Sequence, residues 1–413
     1  MRRSTASSAV LLLSLLVASA GALVSCGGMS TGPSMTGMST GTGVLPGGDL
    51  VASGRQIFRY DTFGDEAFWT DQLRMQEPIS TVSPKKALEV GLKVDAEALP
   101  AAVVEGIKSG RISLDDPKTT LALLKLNAVV GVKGTVQTVN GVDRLTRIGT
   151  TCALCHSTVD NSFSAGVGKR LDGWPNRDLN PGAIIALSPA LDAQKKAVYN
   201  SWGKGRYDPR FNQDGINHPV VIPPAYGLAG INKITFTGDG DEIAYWNRYV
   251  SVTQMGGQGS FREPRTGVSV THGTQDLVSS KLPALQAYQL SLAAPTPPRG
   301  SFDAAAAERG RAIFAGAGRC ASCHTGGTFT DANVRLHPPS DSVVEPESPS
   351  YAARSATKMY RVSPLRGVWQ HPPYVHNGAA ATPEDVVATY NRRRNLGLSA
   401  QDVRDLAQYL RSL

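Results

Sequence analysis

Residues 310–324 read GRAIFAGAGRCASCH. The alanine-rich run Ala304–Phe314 favours helix, and the glycines after Phe314 end it one loop before Cys320-Ala-Ser-Cys323-His324. The same Gly-Arg-x-Ile-Phe opening stands at 54–58, and a second pentapeptide, Cys152-Ala-Leu-Cys155-His156, lies far downstream of it. Phe314 precedes its cysteine by six residues, whereas Phe58 precedes Cys152 by ninety-four. An insertion at about 64–148 accounts for the mismatch. Its apolar stretch TTLALLKLNAVVGV must pack on something, which predicts a folded lid or, alternatively, a small independent domain.

Cys-x-x-Cys-His is the spacing of covalent c-type haem attachment. Two thiols on one helical turn can each add to a vinyl group of the same porphyrin, and the histidine then lies beneath the iron. Disulfides, a four-sulfur zinc site and a thioredoxin-like dithiol compete for such cysteines. None of them asks for histidine after the second cysteine in both places. Of five cysteines the two motifs use four. The expectation is two covalently bound haem c groups, held by Cys152, Cys155, Cys320 and Cys323, with His156 and His324 on the irons.

The halves also match elsewhere. SAQDVRDLAQYLRSL at 399–413 places Val403, Leu406, Leu410 and Leu413 on one helical face, with Ser399 and Asp402 as a capping pair. KLPALQAYQLSL at 281–292 does the same with Leu282, Leu285, Tyr288 and Leu292. Residues 222–240 align with 362–380, pairing Pro224 with Pro364, Gly227 with Gly367 and Gly238 with Gly378. The predicted fold is all-α: two class I cytochrome c-like domains, at 50–293 and 302–413, joined by the linker 294–301, the first enlarged by the insertion.

At the N-terminus, Arg2 and Arg3 precede the apolar run AVLLLSLLVASAGALVSC, the layout of a secretory signal over 1–25, with a short membrane anchor as the other reading. Leu23-Val24-Ser25-Cys26 resembles a lipobox, which implies acylation of Cys26 and anchoring to a membrane by lipid. Residues 26–49, rich in Gly, Ser and Thr, read as a flexible tether. An exported protein, periplasmic or on the outer surface, is expected. Hydrophobic residues at 41% and charged residues at 18% suit a folded core. The formal net charge is +8, but the only dense basic block is Arg392-Arg393-Arg394, so nucleic acid is not an expected partner. A basic rim that meets an acidic redox protein fits better, against the plainer reading of scattered surface charge.

Phe58-Arg59-Tyr60-Asp61-Thr62-Phe63-Gly64, the two haem motifs, and Pro364-Leu365-Arg366-Gly367 through Pro373-Tyr374-Val375-His376-Asn377-Gly378 resemble the bacterial di-haem cytochrome c peroxidase superfamily. Its relatives include methylamine dehydrogenase maturation enzymes and haem rubber oxygenases. The resemblance implies that one haem relays electrons while the other relays them too or meets peroxide or dioxygen, and it leaves a possible homodimer open. It also implies distal ligands. For the second haem these are His376, as in the rubber-oxygenase-like relatives, or Tyr390, fourteen residues on; Met359 is a third candidate. For the first haem, the repeat puts Phe236 where His376 sits, so either Met255 ligates or the iron is five-coordinate, with His218 and His272 also open. Trp174 is expected on a haem face or edge, or in ordinary core packing. Arg177 and Arg366 are expected to pair with propionates. Two functions compete: electron transfer through two six-coordinate haems, and a peroxidase- or dioxygenase-type reaction at one reactive haem with a distal acid–base residue such as Glu242, Gln254 or Gln258.

Overall fold

The computed structural model describes residues 47–344 and 349–413 of the chain. The signal, nearly all of the tether and Cys26 lie outside the described residues.

The repeated Gly-Arg-x-Ile-Phe has a mechanical meaning. The opening helix Gly47–Tyr60 packs against the helix Leu282–Ser291, and Ala304–Ala315 packs against Ala400–Arg411. At each crossing the motif glycine lets the two backbones touch. A Cβ on Gly54 would lie 1.9 Å from the Ala284 carbonyl oxygen, and one on Gly310 would lie 2.1 Å from that of Asp405. Four residues on, the motif phenylalanine meets a tyrosine edge-on, Phe58 with Tyr288 at 5.5 Å and Phe314 with Tyr409 at 5.2 Å between ring centroids. Ser399 and Asp402 form the capping box that starts the last helix.

The aligned loops repeat in conformation as well as in sequence. Gly227 and Gly367, Gly238 and Gly378, and the non-glycine pair Thr235 and Val375 all have positive φ. The two loops also meet. The Tyr226 hydroxyl donates to the Gly367 carbonyl at 2.8 Å, and the Arg361 amide donates to the Phe236 carbonyl at 2.8 Å.

The all-α expectation does not hold. The structure is 39% helical and 13% strand. Among the described residues the strands form five two-stranded sheets. The longest is the hairpin Val132–Val139 with Val142–Thr150, inside and just beyond the insertion. Its cause is local: two runs rich in Val, Thr and Ile flank Asn140-Gly141, and both turn residues adopt positive φ. A second hairpin pairs Gly259–Glu263 with Val268–His272. Helical periodicity, which organised the two repeats, does not register such elements.

TTLALLKLNAVVGV is therefore not one element. A helix, Pro117–Lys125, gives way at Asn127 to a chain that enters the hairpin. Met75, Leu99, Leu121, Leu124, Val129 and Ile148 build a core for the insertion, separate from the cluster around Phe58, Met255 and Leu285. The insertion rests on the first haem motif at Gly131, where a Cβ would lie 2.1 Å from the Leu154 Cα. The opening helix begins at Gly47, inside the span expected to be tether. Among the described residues no helix is long and apolar enough to cross a membrane.

Candidate haem-attachment sites

The first pentapeptide forms the short helix Ala153–His156, pinned by amides that donate to it from later in the chain. Asn176 donates to the Cys155 carbonyl and Gly173 to that of His156, each at 2.8 Å. His156 Nδ1 lies 3.0 Å from the Pro223 carbonyl oxygen. A carbonyl only accepts, so Nδ1 carries the proton and Nε2 keeps its lone pair, the arrangement a metal-ligating imidazole needs. Burial pushes this imidazole down to about 4, against the hydrogen bond to Pro223, so it is neutral at pH 7.

The second pentapeptide repeats the chemistry in a looser frame. Cys320–Ser322 make one tight turn, and the His324 amide closes on the Cys320 carbonyl at 2.9 Å. His324 Nδ1 lies 2.9 Å from the Phe329 carbonyl oxygen, and burial again lowers the imidazole.

The four cysteines are free thiols. Burial pushes Cys152 and Cys155 up to about 12 and Cys320 up to about 11. A redox-active dithiol needs the opposite shift. Nor do the four sulfurs converge on a zinc site. Among the described residues the one group close enough to share a metal is Cys323, Asp331 and His337, where Arg335 also pairs with Asp331 at 2.7 Å. At the first motif, neutral thiols and an anchored, neutral histidine are the groups that haem c attachment takes.

Orphaned cations complete the fit. Arg177 donates from Nη1 to the Pro373 carbonyl at 3.1 Å, but its buried Nε has no partner. Arg361 donates from Nη1 to the Lys233 carbonyl at 2.8 Å and likewise leaves a buried Nε unpaired. Burial pushes both guanidiniums down to about 10. Unpaired buried cations suit an anionic group such as a propionate. Arg366 is exposed and donates to the Gly327 carbonyl, in the loop behind the second motif. Sequence reasoning missed Arg361, since no motif surrounds it.

Trp174 stands edge-on to Trp369, with 5.8 Å between ring centroids, and Trp369 donates to the Pro295 carbonyl at 3.1 Å. The pair joins the two halves. Trp369 has no counterpart in the first copy, and only the fold brings it to Trp174.

The proposed distal residues are scattered. His376 is buried in an aromatic cage, 5.9 Å from the Tyr351 ring, 5.0 Å from that of Tyr360 and 6.3 Å from that of Phe236. Its Nε2 is 3.4 Å from the Tyr360 hydroxyl. Tyr390 is 37% exposed, yet burial raises its phenol, and Cys320 and Cys323 add to the rise. Met255 is buried, 6% exposed, and lies in the apolar cluster on which Cys152 packs. Its carbonyl accepts from Trp69 Nε1 at 2.9 Å. Met359 is half-buried in a turn held by Thr357. His218 donates its amide to Asp208, and His272 sits on the second hairpin beside Phe68.

Residues 307–413 match the family model for cytochrome c. That part of the chain is similar to a cytochrome c domain. The match covers the second haem motif and supports covalently bound haem c there. Among solved structures, the chain is similar to hydrazine synthase of Kuenenia stuttgartiensis, at 19% identity and a TM-score of 0.32, over 49% of this chain and 74% of that one. It is also similar to a MauG-like protein associated with microbial copper homeostasis, at 17% identity and a TM-score of 0.34, over 49% and 75%. No curated protein matches the chain.

Proposed function

We propose that the chain is a di-haem c-type cytochrome that transfers electrons in the cell envelope. The observation that carries this reading is the duplicated anchoring of His156 Nδ1 and His324 Nδ1 on backbone carbonyls, each beside the two free thiols of its motif. When bound, each haem supplies a one-electron couple. Cys152 and Cys155, and Cys320 and Cys323, would hold the two groups by S–H addition across vinyl double bonds. Arg177, Arg361 and Arg366 would meet the propionates, and the Trp174–Trp369 pair would lie between the halves.

Electron transfer is favoured over peroxidase- or dioxygenase-type chemistry because two of the three candidate acid–base side chains, those of Glu242 and Gln254, are otherwise engaged. Glu242 accepts from Gln286 at 3.2 Å, and Gln254 donates to Gln213 at 3.2 Å. For the first iron Met255 is the sixth-ligand candidate, since it shares a core with Cys152. For the second, His376, Tyr390 and Met359 stay as candidates. Export, acylation at Cys26 and an acidic redox partner belong to the same proposal.

Pyridine haemochrome analysis should give two haems per chain. Electron paramagnetic resonance of the oxidised protein should show no high-spin signal that responds to peroxide or azide. A responsive high-spin iron would replace electron transfer with catalysis at that haem.

A further inference from the structure

The insertion lines most of a cavity of about 100 Å³, whose wall is completed by Leu154, Pro181, Ile184, Ile185 and Leu187. Met75, Leu88, Leu123, Val132 and Ile148 line it, and so does Leu154, the middle residue of the first haem motif. Four lining side chains carry a polar donor, and all four donors are engaged elsewhere. Lys93 Nζ meets Asp178 at 2.5 Å, and Thr120 donates to the Val82 carbonyl at 2.6 Å. Thr150 donates to Asp65 at 2.7 Å, and Trp69 donates to the Met255 carbonyl at 2.9 Å.

A buried water needs two to four polar partners, and these walls offer no uncommitted side-chain donor. An apolar cavity of this order stays dry and admits a benzene-sized or xenon-sized guest. We propose that the insertion is a binding site for a small apolar molecule, a hydrocarbon of about six carbons. Because Leu154 forms part of the wall and Gly131 presses on its backbone, an occupant bears on the segment that holds the first haem. The site depends on none of the electron-transfer reading.

The test uses the purified holoprotein, with benzene as the probe. Its thermal midpoint should rise saturably with benzene, and Ala87→Phe, which fills the cavity from the helix Pro84–Glu89, should weaken that response at least tenfold. If Ala87→Phe fails to fold, the milder Val132→Ile serves the same purpose. A crystal held under xenon should show a xenon peak against Leu123 and Leu154. No saturable shift in the wild type, a response unchanged in the filled variant, or xenon bound only elsewhere would overturn the proposal. None of these outcomes alters the haem count or the resonance spectrum that test the electron-transfer reading.

Discussion

At Met255 two roles overlap, and they can be separated. The side chain is a buried member of the first core and also the sixth-ligand candidate for the first iron. Met255→Ala would confound them, since emptying a buried methionine site costs about 2–5 kcal/mol by itself. Met255→Leu keeps the volume, costs below about 1.5 kcal/mol, and deletes the sulfur. The expected outcome is a near-wild-type melt with a displaced first-haem absorption band; an unchanged band removes Met255 as a ligand. Tyr390→Phe is the matching change in the second half. It keeps the ring and removes the phenol oxygen, so only the second-haem spectrum should move. Both pentapeptides were legible in the sequence because attachment demands fixed spacing. The distal side was not, because a sixth ligand can arrive from anywhere the fold allows. Trp369 and Arg361 were invisible for the same reason: their neighbours lie far off in sequence.

The helix pairs explain the repeated Gly-Arg-x-Ile-Phe, and they make a prediction that runs against helix propensity. In an isolated helix, alanine in place of glycine gains about 1 kcal/mol. In Ala304–Ala315, a Cβ at position 310 would lie 2.1 Å from a backbone oxygen, so the helices must separate. Gly310→Ala should therefore destabilise by about 1–3 kcal/mol in urea unfolding, the usual cost of overpacking. Any stabilisation would mean that this crossing is not a close backbone contact. The first hairpin was legible in principle, since Asn140-Gly141 between two β-branched-rich runs is a hairpin signal, but helical matching between the halves gave those residues no partner. The second hairpin carries a pH signature. Hydrogen bonds from Arg265, opposed by burial and joined by one from Tyr245, lower the Glu263 carboxyl from 4.5 to about 2. The folded state thus binds fewer protons than the unfolded state between those values. This contribution to stability is full above the unfolded value near 4.5, and it is lost as pH falls through about 2. Glu263→Gln should flatten that part of the stability–pH curve, and an unaltered slope would discount the pairing.

Across the whole molecule, the two halves are fastened by charge as well as by the loop contacts. Arg354, from the second half, donates to Asp208 at 3.0 and 3.1 Å and to Asp214 at 2.7 and 2.9 Å, both in the first half. Its side chain is 2% exposed and that of Asp208 is fully buried. Asp208 also accepts the amides of Arg210, Phe211 and His218, so its charge is fixed in place whether or not the guanidinium is present. Removing one partner of a buried pair strands the other charge, at a cost of about 3–5 kcal/mol. Arg354→Met should incur most of that loss. Arg354→Lys should lie between Met and wild type, because one ammonium cannot fork across two carboxylates. Urea unfolding, followed by the visible bands of the bound haems, gives the ranking directly. A methionine variant within about 1 kcal/mol of wild type would show that the seam is held by its loops and not by this pair. If the ranking holds, a charged fastening sets part of the seam between the halves. On the proposed electron-transfer reading, Arg354→Met should slow electron exchange between the halves even at temperatures where the chain remains folded.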